Sequence, residues 1–298
     1  MTEAAVSTSA DATPSYRVGA LRANYARELT AIAFLVLFAT PLRLLVRDWW
    51  MLPEAGHGLL LGPAALWLAW RSGIDGLATP APRAGLGVLA VAIMMRYVGG
   101  AAAELFTMRL SIVVALAGLT LYHFGFRQIV RWWLPFLLGF LAVPLPELIT
   151  QSLALPLQFK ASQMGAALLE MRHVPVMLTG NVIRLPGQEL FVTEACSGLR
   201  SLTALLSLGV LMSALVLRSV PARVLLIATA IPVAIAVNGF RVFLTGFLVF
   251  FVSPRFGTGF MHLTEGWLLF IVSFAGLAAV AWIGALLERM VMPAVQHA

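Results

Sequence analysis

The stretch from Val224 to Val252 is apolar throughout except at Asn238-Gly239-Phe240-Arg241. A helix built from it is hydrophobic all round, so in water it has no polar face to turn outward, and its natural solvent is lipid. At 1.5 Å per residue it is also too long for one upright crossing of a hydrocarbon core roughly 30 Å thick. A break near Asn238 is therefore expected, with Asn238 and Arg241 at the membrane face that the helix has just reached. Shorter apolar runs recur along the chain. Of its 298 residues, 60% are hydrophobic and 11% are charged, a balance that no soluble domain of this size tolerates. The sequence predicts an all-α polytopic membrane protein of about eight transmembrane helices, with a small extracytoplasmic helix-plus-hairpin segment.

The predicted crossings cover 29–45, 57–70, 85–99, 105–122, 132–143, 199–217, 224–252 and 267–287. They divide the chain into a cytoplasmic N-terminal tail (1–28), a single integral membrane domain (29–289) and a cytoplasmic C-terminal tail (290–298). Arg17, Arg22, Arg27, Arg71, Arg83, Arg127, Arg131, Arg218, Arg223 and Arg289 then fall in the tail, turns and C-terminus of one side. Basic residues accumulate on the cytoplasmic side of membrane proteins, which orients the chain. The same rule accounts for the formal net charge of +7, so nucleic acid is not expected as a partner. The bilayer is. The expected location is the bacterial inner membrane, multi-pass, with the site described below facing the periplasm.

The segment 144–193 lies opposite the basic turns. From Glu147 to His173 apolar residues mix with Gln151, Gln158, Lys160 and Gln163, the pattern of an amphipathic helix, or a pair of them, at the interface; an ordinary packed loop helix is the alternative. From Val174 to Val192 the residues alternate in strand fashion. Pro186-Gly187 suits a type II turn between Asn181-Val182-Ile183-Arg184-Leu185 and Glu189-Leu190-Phe191-Val192. That hairpin delivers the chain to Val192-Thr193-Glu194-Ala195-Cys196-Ser197-Gly198-Leu199-Arg200.

Cys196 is the only cysteine, which excludes an intramolecular disulfide and a cysteine-rich metal site. Thr193 and Ser197 are both good N-caps for the helix that follows. The positive end of that helix and Arg200, one turn on, favour a thiolate, although a lone cysteine in an apolar protein also reads as a small buried hydrophobe. A charged arginine at membrane depth costs roughly 2.5 to 3.5 kcal/mol on insertion scales, so Arg241 needs a partner or a task. Arg96 and Arg109 are read as snorkelling to an interface. The topology brings Cys196, Arg241 and His262 to one face, at the ends of three successive spans. A thiol, an imidazole and a guanidinium together suit acyl transfer: Cys196 attacks a carbonyl, His262 moves the proton, and Arg241 stabilises the oxyanion or orients the substrate. Glu194 and Glu265 are nearby in sequence. Glu265, one turn from His262, either orients that imidazole or is a solvated carboxylate, and Asn238 either holds Arg241 or caps the helix break. The five histidines are dispersed with no HExxH spacing, so neither a metal site nor a cofactor is expected.

These residues resemble the exosortase/archaeosortase family of membrane transpeptidase-like enzymes. The likeness lies in Glu194-Ala195-Cys196-Ser197-Gly198-Leu199-Arg200, in Asn238-Gly239-Phe240-Arg241 and in His262 with Gly266. His57-Gly58, Pro144-Leu145-Pro146-Glu147 and the stretch from Gly180-Asn181 to Pro186-Gly187 support it, so it covers roughly residues 30 to 287. The resemblance implies that Cys196, Arg241 and His262 form the catalytic set. It implies substrates that are exported proteins with a C-terminal sorting signal: a Pro-Glu-Pro-like motif, a membrane helix and a basic tail. It also implies cleavage before that helix and transfer to a polysaccharide or lipid-linked acceptor. A membrane cysteine endopeptidase without transfer, and a non-catalytic component or transporter of exopolysaccharide export, are the rival readings.

Overall fold

The computed structural model describes residues 14–52, 55–192, 199–257 and 259–291. They are mostly helical, with one small sheet, and they group into two compact units: Met1–Leu44 with Ile74–Arg131, and Leu45–Gly73 with Trp132–Ala298. Among the described residues, four helices are long and apolar enough to cross a membrane, or five if one bent pair is a single span. The all-α membrane architecture fits. The expected count of eight is not confirmed among the described residues, where the apolar helices Gly58–Ser72 and Trp133–Leu141 are shorter than a crossing.

In the first unit α1 (Pro14–Leu37) gives way to α2 (Ala39–Met51) with a bend of 63°. The sequence reads 29–45 as one span; the bend falls next to Pro41, which has no N–H to donate to the Leu37 carbonyl four residues back. Next, α4 (Pro82–Ala101) and α5 (Leu105–Phe124) form an antiparallel pair. Glycines set its close register: Gly85 lies against Tyr122, Gly99 against Met108 and Gly118 against Leu89. Small residues at such contacts let helix backbones approach where lipid supplies no hydrophobic drive. Glu104 caps α5, accepting from the N–H groups of Phe106 and Thr107 at 3.1 and 2.6 Å. The Thr107 side chain and these amides hold the Glu104 carboxyl below its ordinary value. Arg109 is 7% exposed, which corrects the expected snorkelling; its charge lies close enough to Glu104 to help lower that pKa. Arg96 lies over the Tyr97 ring, 4.6 Å from its centre.

Between α4 and α3 (Gly58–Ser72), the turn through Asp75 belongs to the first unit and is tied to the short α6 (Phe126–Arg131). Gln128 Oε1 accepts from the Asp75 N–H at 2.8 Å, and Arg127 Nε donates to Asp75 Oδ2 at 3.3 Å. The Leu77 amide, followed by Arg127, keeps the Asp75 carboxyl below its ordinary value.

The second unit begins with α3 packed on α7 (Trp133–Leu141) around the fully buried Leu61 and Leu138. α7 has nine residues and reaches about 14 Å, half a crossing, so the predicted span 132–143 does not traverse the bilayer by itself. After Pro146 comes α8 (Glu147–Glu170), a single helix that buries Ala154, Gln158, Ala161, Ser162, Gly165, Ala166 and Leu169 along one stripe. The sequence assigned Gln158 to a polar, interfacial side. The structure corrects this: Gln158 is 5% exposed.

Three antiparallel strands follow in the order β1 (Met177–Thr179), β2 (Val182–Leu185), β3 (Gln188–Phe191). The expected hairpin is β2–β3, joined through Pro186 and Gly187, whose φ of 79 supplies the left-handed residue of a type II turn. β1 is an added strand that the alternating pattern of 174–192 contained but did not delimit. Three helices complete the unit: α9 (Leu199–Val216), α10 (Val220–Phe251) and α11 (Gly259–Val291). The Glu288 carboxylate accepts from the Arg218 and Ser219 amides, both at 2.8 Å, and so fastens the α9–α10 turn to the end of α11.

The expected break near Asn238 is absent, because α10 runs unbroken for 32 residues, about 48 Å. Asparagine and glycine cost at most about 1 kcal/mol each inside a helix, and α8 packs against that very stretch. A Cβ on Gly239 would lie 2.7 Å from Met164 Cβ, one on Gly165 2.5 Å from Val242 Cγ1, and one on Gly246 2.8 Å from Leu169 Cδ1. The glycines are there because backbones meet.

This packing predicts that Gly165→Val overpacks the α8–α10 contact and destabilises the protein by about 1–3 kcal/mol. Gly276→Ala adds a Cβ that meets nothing within 4 Å and should leave stability unchanged or raise it by up to about 1 kcal/mol. Thermal unfolding of the two variants in lipid nanodiscs checks the contrast.

Candidate active site

The site is built on the register of α9, α10 and α11. Gly209 of α9 faces Ala230 of α10 and Leu277 of α11, and Gly284 of α11 faces Leu217 of α9. Position numbers on α9 and α11 therefore rise together, so those two helices are parallel, and α10, joined to α9 by a three-residue turn, runs the other way. Ten residues back from Gly209 is Leu199, the start of α9. Ten along α10 from Ala230 is Phe240, and ten back along α11 from Leu277 is Trp267. The beginning of α9, the Asn238–Arg241 stretch of α10 and the first turns of α11 thus lie at one end of the bundle.

Of the predicted site residues, Arg200, Asn238, Arg241, His262 and Glu265 fall at this end. Asn238 and Arg241 are three apart on α10; Asn238 is 6% exposed and Arg241 half-buried. Thr245 Oγ1 donates to the Arg241 carbonyl oxygen at 3.0 Å, the back-bond by which threonine is accommodated inside a helix. His262 and Glu265 are three apart in the opening turns of α11, and Arg200 is the second residue of α9; the side chains of all three lie outside the described residues. So do Thr193, Glu194, Cys196 and Ser197 entirely.

What brings the chain to Cys196 is described in full. The sheet's inner face, with Ile183, Leu185 and Val192, shares one buried cluster with Ala161, Ala166 and Leu169 of α8 and with Val242 and Val249 of α10. Val192 is 3% exposed, packed in the same cluster as the residue after Arg241. From Val192 four extended residues, about 13 Å at most, lead to Cys196, and three more lead to the start of α9.

The end of β3 is held by Asn181. The Val192 N–H donates to the Asn181 carbonyl at 3.0 Å, and Asn181 Nδ2 donates to the Val192 carbonyl at 3.0 Å and to Gln158 Oε1 at 3.3 Å. One asparagine therefore fixes both backbone groups of Val192 and ties them to α8. Sequence reasoning noted Asn181 only within a supporting motif and gave Gln158 no role. The available signal was a glutamine at the helical spacing of the α8 stripe, seven residues before Gly165.

A second support lies beside α7. His57 Nε2 pairs with the Leu141 carbonyl at 3.2 Å and Trp49 Nε1 donates to the Ala142 carbonyl at 2.7 Å. A Cβ on Gly58 would run into the Trp49 ring. The His57-Gly58 pair thus anchors the α7 C-terminus, just before Pro144-Leu145-Pro146 leads into α8. Among the described residues no group of three His, Cys, Asp or Glu side chains could hold a metal ion.

Comparison with protein families places the chain. The transmembrane exosortase model matches residues 49–279, most of the chain, and the protein belongs to that family. No curated protein and no solved structure matches it.

Asn181→Ala strips the donor from the buried Gln158 and Val192 oxygens, and each orphaned acceptor costs about 1–3 kcal/mol. Arg184→Ala breaks only the half-exposed pair with Glu189, worth at most about 1 kcal/mol. Denaturant unfolding should rank Asn181→Ala well below Arg184→Ala; equal midpoints would contradict the clamp.

Proposed function

We propose that this exosortase is a cysteine transpeptidase that cuts the C-terminal sorting signals of exported proteins on the outer face of the inner membrane. The observation that carries the reading is the common end shared by the α9 start, Arg241 on α10 and the opening turns of α11. It is supported by the arginine-rich turns at the opposite end, which mark that other end as cytoplasmic.

The chemistry proceeds in two halves. The Cys196 thiolate attacks the scissile carbonyl, and the developing oxyanion is met by the Arg241 guanidinium. The carbon–nitrogen bond breaks as His262 gives its proton to the leaving amine, which departs with the membrane helix and basic tail. A thioester on Cys196 remains. A nucleophile on a polysaccharide or lipid-linked acceptor then gives its proton to His262 and attacks the thioester, releasing the product and restoring the thiolate. Glu265, one turn from His262, orients the imidazole; Asn238, one turn from Arg241, steadies the guanidinium; Arg200 and the N-terminus of α9, with Ser197 as its cap, favour the thiolate. Glu194 borders the same segment.

The test withholds the acceptor. Intact-mass analysis of enzyme and substrate alone should show an adduct that hydroxylamine removes and that Cys196→Ala never forms. Arg241→Lys, which keeps the charge but loses the planar fork, should slow adduct formation by about a hundredfold or more, the scale of one lost oxyanion donor. Full turnover with no adduct and no acceptor would instead describe a membrane cysteine endopeptidase.

A further inference from the structure

β3 is an edge strand. It has one neighbour, β2, and the order β1-β2-β3 leaves its other side without a strand. The register identifies the backbone groups on that side. The Val192 N–H bonds to Asn181, and partners in an antiparallel ladder alternate between hydrogen-bonded and non-hydrogen-bonded pairs. Leu190 opposite Ile183 and Gln188 opposite Leu185 are then the bonded pairs. Glu189 and Phe191 belong to the other class, so their N–H and C=O groups point away from β2. Among the described residues, no backbone hydrogen bond to these groups is made. The inner face of the sheet is buried, whereas Phe191 is 61% exposed.

Two residues presenting N–H and C=O outward, at a spacing of two, match the backbone of another extended chain and nothing more compact. The position says which chain. Phe191 precedes Cys196 by five residues, about 16 Å if extended, and β3 is held rigidly at its end by Asn181. A thiol attacks an amide carbonyl efficiently only when the substrate is held in place beside it.

We infer that the edge of β3 at Glu189 and Phe191 binds the polar segment of the substrate ahead of its scissile bond as an added β-strand. The inference rests on the proposed peptide-cleaving function and assigns that site its mode of substrate recognition. Recognition here is through the backbone, so it tolerates varied side chains and demands an unbroken alternation of amides. The Arg184–Glu189 pair at 2.9 Å lies on the outer face and leaves the edge itself open.

The test uses an exported reporter ending in an extended polar segment, an apolar helix and a basic tail. Proline is placed singly through the eight residues before the cleaved bond. Processing should fall at alternate positions, because only every second N–H of an added strand faces β3. Phe191→Pro removes one outward N–H without touching the β2–β3 ladder and should raise KM about three- to tenfold, while the alkylation rate of Cys196, the sole cysteine, stays at the wild-type value. In a Cys196→Ala background, photoreactive benzoylphenylalanine at position 191 should crosslink the reporter tail. A tail that is processed with no alternation and no crosslink overturns the inference and leaves the proposed function standing. A tail that crosslinks at 191 but is never processed by the wild type overturns the function and leaves the binding edge standing. Crosslinking of position 191 to a second copy of this chain instead of the tail overturns the inference.

Discussion

The close approach of α8 to α10 is the constraint on which the second unit depends. Two helix backbones this close gain van der Waals contact that larger side chains would hold apart. Gly165, Gly239 and Gly246 permit that contact. Because the sheet packs on the same two helices, the contact fixes three things at once: the face that α10 turns inward at Asn238 and Val242, the position of Val192, and hence the place where the Cys196 segment begins. A methyl group at any of the three glycines would crowd the α8–α10 contact on which the sheet packs.

This contact also explains which parts of the architecture the sequence revealed. Apolar runs announce helices whatever they pack against, so α4, α5, α9, α10 and α11 were legible. Turn chemistry is equally local, and Pro186-Gly187 placed the β2–β3 turn at its observed position. The errors arose where tertiary contact overrides local preference. Asn238-Gly239 reads as a helix break by propensity, yet it is the surface against which Met164 packs. Gln158 reads as the wet side of an interfacial helix, yet it is buried because Asn181 supplies its hydrogen bond. Arg109 reads as snorkelling, yet it is buried on α5 near Glu104. For Asn238-Gly239 and for Gln158 the partner lies on another element, which no periodicity encodes. The number of crossings is harder to read for a different reason: hydropathy marks apolar runs but not their shape, and the first run bends near Pro41 while α7 stops after nine residues.

The candidate site was legible as chemistry and not as support. Cys196, Arg241 and His262 stood out because a lone thiol, a membrane-depth guanidinium and an imidazole are costly or reactive where they occur. The residues that hold the frame are ordinary in type: Asn181, Trp49 and His57 bond backbone carbonyls, and Gln158 accepts from the Asn181 side chain. Their importance is visible only once the carbonyls they satisfy are located, at Val192 and at Leu141 and Ala142.

The central claim is that the register of α9, α10 and α11 gathers position 196 with positions 241 and 262 at one end of the unit. Disulfide scanning tests it most directly, because Cys196 is the only native cysteine and a disulfide forms only when Cα atoms come within about 7 Å. Single cysteines would be introduced along α10 from 238 to 245 and along α11 from 259 to 266, with controls at 222 and 285, and mild oxidant added in native membranes. The account predicts intramolecular disulfides with Cys196 confined to the first two windows. Disulfides formed with 222 or 285, and none in either window, would contradict it.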